Sequence, residues 1–413
     1  MTSEPREAFV WIWLPGTEEP VVAGRLDQVG ELVAFTYGRS YLEREERIPL
    51  YLPELPLRRG QIMPVAGTIA GCIADAGPDA WGKRVILNHR VGSDAADTAE
   101  LPELTYLLES GSDRIGALDF QASPSEYVAR SRGDARLSEL AKLSEAAHKV
   151  EQGVPLSPAL DQALLHGSSI GGARPKVLLT DGRRRLIAKF SSTTDTFPVV
   201  KGEFVAMELA RRADIDTAKV ELTEALGKDV LLVERFDRPA PGGRRALVSA
   251  LTILDLDEWG GRYASYEALA DEVRARFNEP KASLRELFSR LTFNVLAGNT
   301  DDHARNHAAF WNGTELTLTP AYDICPLPRA GGEASQAMAI GRDGFRLSQV
   351  AACVARAPTY LLSEKEARAI VDRQIETIEA EWDEVCALAR LGEVDRRRLR
   401  SGAFLNPYAI EGY

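Results

Sequence analysis

A chain of 413 residues with 45% apolar and 27% charged residues has room for two or three domains and a sizeable core. Its net charge of −11 argues against direct, non-specific nucleic-acid binding, which needs a basic footprint. Cys72, Cys325, Cys353 and Cys386 are scattered without metal-ligand spacing, and no apolar run approaches ~18 residues, so reduced thiols and a protein without a membrane role are expected. The acidic, polar start shows no signal peptide, which points to the cytoplasm.

Residues 8–14, 21–26 and 32–37 read as strands, the first two flanking a Pro/Gly turn. A looser region rich in Pro, Leu and Arg comes next, and residues 75–84 then lead into a helical pattern through Val85, Ile86 and Leu87. Gly77-x-x-x-x-Gly82-Lys83 imitates a phosphate-binding loop, but Arg84 stands where Ser or Thr would ligate Mg²⁺, and the apolar run before it is thin. It reads as a turn and helix start. Residues 104–108 look helical, 114–120 look like a closing strand, and the polar stretch 121–134 marks a domain edge. Residues 1–125 are therefore expected to form a β-rich accessory domain, with helical periodicity resuming at 135–150.

Gly167-Ser-Ser-Ile-Gly-Gly-Ala-Arg-Pro-Lys176 precedes a strand, and such a loop can bring backbone N–H groups close to phosphate oxygens. A glycine-rich surface turn explains the composition equally well. Asp181-Gly182 is a tight hairpin signal. The second strand, 184–190, places Leu186, Ala188 and Phe190 on one face and Ile187 and Lys189 on the other. Lys189 then lies across the hairpin from the loop, where a phosphate-pairing lysine belongs; a solvated edge charge is the alternative. Residues 201–211 form a helix with Glu203 in its first turn, placed either to pair with Lys189 or simply to sit well at a helix N-terminus. Glu208 is the competing partner. Two strands near 218–222 and 229–236 end at Asp237-Arg-Pro-Ala-Pro-Gly-Gly243. Loop, hairpin, lysine strand, glutamate helix and two strands reproduce the order of a kinase small lobe, here 126–238.

From about residue 264 the chain reads as helical. Ser283-Leu-Arg-Glu286 is a capping box expected to start a helix whose apolar stripe anchors the stretch at its C-terminal end. That stretch is Leu296-Ala-Gly-Asn-Thr-Asp-Asp-His-Ala-Arg-Asn306, and Leu318-Thr-Pro-Ala-Tyr-Asp-Ile324 lies shortly beyond it. An Asp followed five residues later by Asn, then an Asp after a strand, is the layout of a protein-kinase centre. There the first Asp accepts the substrate hydroxyl proton, and the Asn and last Asp hold Mg²⁺ on the phosphates of ATP. Further helical patterns at 347–356, 363–388 and 394–401 complete a helical large lobe, 239–413. The expected class is α+β: a protein-kinase-like two-lobed fold, with a mixed β small lobe, a helical large lobe and the N-terminal β-rich accessory domain.

This combination resembles the HipA family of bacterial serine/threonine kinases, toxins of toxin–antitoxin pairs. The resemblance is carried by Ser169-Ile-Gly-Gly-Ala-Arg-Pro-Lys176, Ile187-Ala-Lys-Phe190, Glu234-Arg-Phe-Asp-Arg238, Asn299-Thr-Asp-Asp-His-Ala-Arg-Asn306 and Pro320-Ala-Tyr-Asp-Ile324. Pro78-Asp-Ala-Trp-Gly82 and Asp113-Arg-Ile-Gly-Ala-Leu118 are similar to the family's N-terminal region. The resemblance implies Asp301 as catalytic base, Asn306 and Asp323 on Mg²⁺, and Lys189 on the ATP phosphates beside a loop of Ile170, Gly171, Gly172, Ala173, Arg174 and Lys176. It places Glu234, Arg235 and Phe236 against the adenine through backbone groups, His303 near the nucleotide or in a structural role, and Ser169 as an inactivating autophosphorylation site. Arg174 departs from the family, which usually has Gln there. His307 is assigned to structure, and Asp302 is read as a solvated or capping carboxylate. The implied partners are a protein substrate, with aminoacyl-tRNA synthetases the better-known targets, and a helix-turn-helix antitoxin through which DNA is reached indirectly.

Two other readings compete. A small-molecule kinase would share the Asp–Asn–Asp layout and need a substrate pocket in the helical lobe. A catalytically weak nucleotide-binding regulator of a DNA-bound partner complex would tolerate loss of Lys189, Asp301, Asn306 or Asp323, all of which are intact here.

Overall fold

Runs of buried residues build the first sheet. In the computed structural model, which describes residues 4–91, 101–130, 135–154, 156, 174–192, 194–239 and 243–413, β1 (Glu7–Ile12), β2 (Val21–Val29), β3 (Leu32–Tyr37), β4 (Gln61–Ile62) and β5 (Leu118–Gln121) lie antiparallel in the order β4-β3-β2-β1-β5. Helices α1 (Ala80–Val91), α2 (Glu103–Glu109) and α3 (Leu140–Glu151) come in the expected order. A second sheet of β6 (Lys176–Asp181), β7 (Arg184–Phe190), β8 (Val220–Ala225) and β9 (Lys228–Glu234) has the order β6-β7-β9-β8.

The chain divides into two compact units: Met1–Thr194 with Thr223–Val248 and Phe310–Thr314, and Asp195–Leu222 with Ser249–Ala309 and Glu315–Tyr413. In the first unit the alternation read for β7 holds. Leu186, Ala188 and Phe190 are buried with Val177, Leu179, Val230 and Leu232, and one face of α3 (Leu140, Leu143, Ala147, Val150) covers them. Trp81 and Val85 of α1 enter the same cluster, so the N-terminal region and the second sheet share one core.

Residues 77–83 are a turn and helix start. Asp79 caps α1 by accepting the Gly82 N–H at 2.8 Å, while Lys83 pairs with Glu103 at 2.7 Å and lies over the Tyr106 ring.

In the second unit, α4 (Val199–Arg212), α5 (Tyr266–Arg276), α6 (Pro280–Ala297), α7 (Glu364–Leu388) and α8 (Glu393–Gly402) are the main helices. α6 packs against α5 and α7, and α7 against α4. Apart from these helices, and not confined to this unit, short strands β10 (Leu247–Ser249), β11 (Ala308–Trp311) and β12 (Leu316–Leu318) form a third sheet in that order. The capping box read at Ser283 is corrected. Pro280 occupies the first turn, where its missing N–H costs nothing, so the helix starts earlier; Ser283 is buried inside it, and Glu286 pairs with Arg290 at 2.8 Å. α6 ends at Gly298, whose φ of 68° is left-handed and whose Cα faces the Ala403 backbone so closely that a Cβ would lie 2.8 Å from it. The capping box of Ser363 and Glu366 does begin α7. Among the described residues no helix is long and apolar enough to cross a membrane.

Asp79 has a second task. Lys176 and Lys189 are cross-strand partners on β6 and β7, and like charges so placed repel. The Lys176 ammonium, with its side chain 3% exposed, is met by Asp79 Oδ2 at 3.1 Å. Asp79→Ala removes both cap and counter-charge and is expected to cost about 3–5 kcal/mol in urea unfolding, whereas Asp79→Asn retains the cap and loses only the ion pair. A wild-type midpoint in Asp79→Asn would show that the ion pair contributes nothing.

Candidate active site

The candidate stretch 296–306 has its backbone tied on several sides. Leu327 N donates to Gly298 O at 3.0 Å, Ala337 N to Thr300 O at 2.9 Å, and Met338 N to Asp302 O at 3.0 Å. Ala304–Asn306 is a 3₁₀ turn, closed by Asn306 N donating to His303 O at 2.8 Å. Beneath it lies a buried polar cluster. Asp302, 1% exposed, accepts the Tyr266 hydroxyl at Oδ2 and faces His307 Nε2 at 3.0 Å through Oδ1. Asn294 Nδ2 lies 3.3 Å from the Tyr266 oxygen, and Asn299 Nδ2 donates to Asn294 Oδ1 at 3.0 Å. Burial and the Asp302 carboxylate push the Tyr266 hydroxyl well above its usual range, which keeps it a donor. Among the described residues His307 Nδ1 has no hydrogen-bond partner, so Nε2 is assigned the proton that Asp302 accepts.

This corrects the reading of Asp302. It is neither solvated nor a cap, but the buried carboxylate on which the loop is built, and His307 has the structural role read for it. Asp301, its neighbour, is exposed. Successive residues thus divide the work: one carboxylate points inward and fixes the loop, and the other is presented to solvent.

The second acidic segment reaches the loop by a hairpin-like return. Thr319 N donates to Ala308 O at 3.1 Å, and the Tyr322 hydroxyl to Arg305 O at 2.6 Å. Arg290, 2% exposed on α6, holds Thr319 O at 2.8 Å. Asp323 comes next with φ of 60°, a left-handed conformation that Asp tolerates better than most residues. Asn306, 9% exposed, immediately succeeds Arg305, to whose carbonyl Tyr322, the residue before Asp323, is bonded. Among the described residues no group of three or more His, Cys, Asp or Glu is placed to hold a metal. One amide oxygen and one carboxylate suit Mg²⁺, which keeps waters and phosphate oxygens in the rest of its shell.

The remaining candidates divide between the units. Lys189 is half-buried on β7 in the first; Glu203, 3% exposed on α4, is in the second. The competing Glu208 is taken up by Arg211 at 2.7 and 2.9 Å and by Arg212 at 2.9 Å, and these bonds lower its pKa. Arg174 is half-buried just before β6, and His303 is half-buried at the start of the 304–306 turn. The Lys176 side chain, expected at nucleotide, is instead the buried partner of Asp79. Ser169, Ile170, Gly171, Gly172 and Ala173 lie outside the described residues.

Residues 234–238 depart furthest from expectation. Arg235 N donates to Arg185 O at 2.9 Å, extending the second sheet, and the Arg235 side chain turns to the N-terminal region. Its guanidinium, 1% exposed, grips Asp237 in two-point fashion at 3.0 and 2.8 Å, donates to Arg114 O at 2.6 Å and lies 2.9 Å from Asp113 Oδ1. Arg238 reaches the same Asp113 oxygen at 2.8 and 3.1 Å and donates to Gly116 O at 3.0 Å. Gly116 N donates to Asp237 Oδ2 at 2.8 Å. Burial alone raises the Asp113 and Asp237 carboxyls, but the Arg235 and Arg238 guanidiniums outweigh it and hold both below the usual range. Glu234 and Phe236 are half-buried, and Phe236 packs edge-on against Phe310 with ring centres 5.8 Å apart.

Comparison with known proteins fits this layout. Residues 12–121 match the family model of the HipA N-terminal domain, and residues 168–382 that of the HipA-like C-terminal domain. The chain belongs to the HipA family. A putative kinase, Y4mE, of Sinorhizobium fredii is 27% identical over 319 residues, covering 71% of each chain. The serine/threonine-protein kinase toxin HipA of Shewanella oneidensis is 25% identical over 185 residues, 38% of this chain and 42% of that protein. HipA from the solved Shewanella oneidensis HipA–HipB–operator DNA complex superimposes with a TM-score of 0.70 at 20% identity, covering 92% of both chains. This HipA-family chain therefore has the α+β, kinase-like two-lobed fold with a β-rich N-terminal domain.

Sequence reasoning missed Tyr266, Arg290 and Asn294, and quoted Asn299 in a motif without giving it a role. Asn294 alone carried a signal, as a polar residue on the buried stripe of α6 that demands a partner. Tyr266→Phe should cost about 1.5–3 kcal/mol in urea unfolding, the range for a hydrogen bond to a buried charge. An unshifted midpoint would remove the cluster from the loop's support.

Proposed function

We propose that this chain is a Mg²⁺- and ATP-dependent serine/threonine protein kinase acting as a HipA-like toxin. The observation that carries the reading is the pairing of an exposed Asp301 with a buried Asp302 on one braced loop, which also holds Asn306 and to which the residue before Asp323 is bonded. Asp301 accepts the proton of a substrate hydroxyl as its oxygen bonds to the γ-phosphorus of ATP and the bond to the ADP oxygen breaks. Asn306 and Asp323 hold Mg²⁺, which neutralises charge on the phosphates. Lys189 pairs with the phosphates and is oriented by Glu203; backbone groups of residues 234–236 face the adenine; Ser169 in the 167–176 loop is the autophosphorylation site. Glu208's commitment to its arginines supports Glu203 in this role.

The division into 1–125, 126–238 and 239–413 belongs to the same proposal, as do a protein target such as an aminoacyl-tRNA synthetase, a helix-turn-helix antitoxin and a cytoplasmic location. The likeness to a HipA solved with HipB and operator DNA supports a partner that reaches DNA on the kinase's behalf, which suits the net charge of −11.

Intact-mass and peptide mass spectrometry after incubation with Mg²⁺-ATP tests the reading. Wild type is expected to gain phosphate on Ser169, and Asp301→Asn to slow this by about 10²–10⁴-fold while still binding ATP. Undiminished transfer by Asp301→Asn would sink the assignment of the base. Bound ATP with no phosphorylated residue would favour a small-molecule kinase or a nucleotide-binding regulator.

A further inference from the structure

Residues 234–238 are a stretch of the proposed nucleotide site whose side chains the N-terminal region grips. Beyond the Arg235 N–H bond to Arg185 the segment leaves the sheet, and a free linker there would lose the direction of its N–H and C=O groups. Side chains replace the sheet. Arg235 and Arg238 flank Asp237, Arg235 and Asp237 are buried and the Arg238 side chain is 8% exposed, and a single carboxylate oxygen of Asp113 accepts from both arginines. The Arg114 and Gly116 carbonyls and the Gly116 N–H complete the grip. Alternation along the segment turns Glu234 and Phe236 to the side opposite Arg235. Charge-assisted, two-point arginine bonds are strong and directional, so they fix backbone orientation as well as hold position.

We propose that Asp113 of the N-terminal domain is a positioning residue for nucleotide binding: through Arg235 and Arg238 it sets the backbone of residues 234–236, and so tunes affinity for the adenine of ATP. This role rests on the kinase reading and gives the N-terminal domain a part in the site without any contact to the nucleotide. Removing the Asp113 charge leaves two guanidiniums sharing one neutral acceptor in place of a carboxylate, and the segment between them is expected to reorient. Nucleotide affinity then falls, while the phosphoryl-transfer machinery of Asp301, Asn306 and Asp323 is left as it was.

The test is titration of the full chain with ATP, read by competition with a fluorescent ATP analogue, alongside the rate of self-phosphorylation at saturating ATP. Asp113→Asn is expected to weaken ATP about tenfold, with the saturated rate within about twofold of wild type. Tyr127→Phe is the control for general loosening, since it removes a 3.0 Å bond to Asp119 in the same domain and touches neither arginine. It should leave ATP affinity unchanged. Should Asp113→Asn fail to fold, Arg238→Lys keeps the charge, loses the fork and is expected to give the same split. Wild-type affinity in folded Asp113→Asn, or an equal loss in Tyr127→Phe, would overturn the positioning role alone. A wild-type protein that does not bind ATP would overturn both this role and the kinase reading.

Discussion

A buried carboxylate, Asp302, is the constraint on which the second unit depends. A carboxyl group out of contact with water is tolerable only when its oxygens are met by partners, and Tyr266 from α5 and His307 from just before β11 meet one each. Asn294 extends the cluster into α6. One side chain thereby ties two helices and a strand to the loop between them. The exposed Asp301 is the beneficiary. It has no need of hydrogen bonds to hold it, because the backbone that carries it is already fixed by its buried neighbour.

Much of the fold was legible because its signals are local. Alternation in 184–190 identified both the strand and which face carries Lys189; the Asp–Asn spacing of 301–306 and the Asp at 323 identified the acidic centre. These depend on neighbours a few residues away. The Tyr266–Asp302 bond joins residues 36 apart, and the Arg235–Asp113 pair joins residues 122 apart, and nothing in either local stretch announces its partner. Asp302 was misread for that reason, since an Asp beside an Asp in a polar loop looks solvated. Ser283 was misread for another: a capping box and an N-terminal proline both signal a helix start, and Pro280 comes first.

The two motifs of the N-terminal region, 78–82 and 113–118, looked like features of a separate accessory domain. Both are spent on the second sheet. Asp79 balances Lys176 beside Lys189, Trp81 Nε1 donates to Lys176 O at 3.1 Å, and Asp113, Arg114 and Gly116 hold the end of β9. A sequence boundary near residue 125 separates patterns, whereas the physical core runs across it.

That shared core has a consequence for how the chain is made. Trp81 and Val85 are released from the ribosome long before Val230 and Leu232, which complete the cluster that buries them. At about 5–20 residues per second the apolar face of α1 waits roughly 7–30 s for its cover. The N-terminal region therefore cannot finish folding as an independent first domain. Residues of α3, β6 and β7 reach the cluster earlier, and its last positions stay open until β9 emerges.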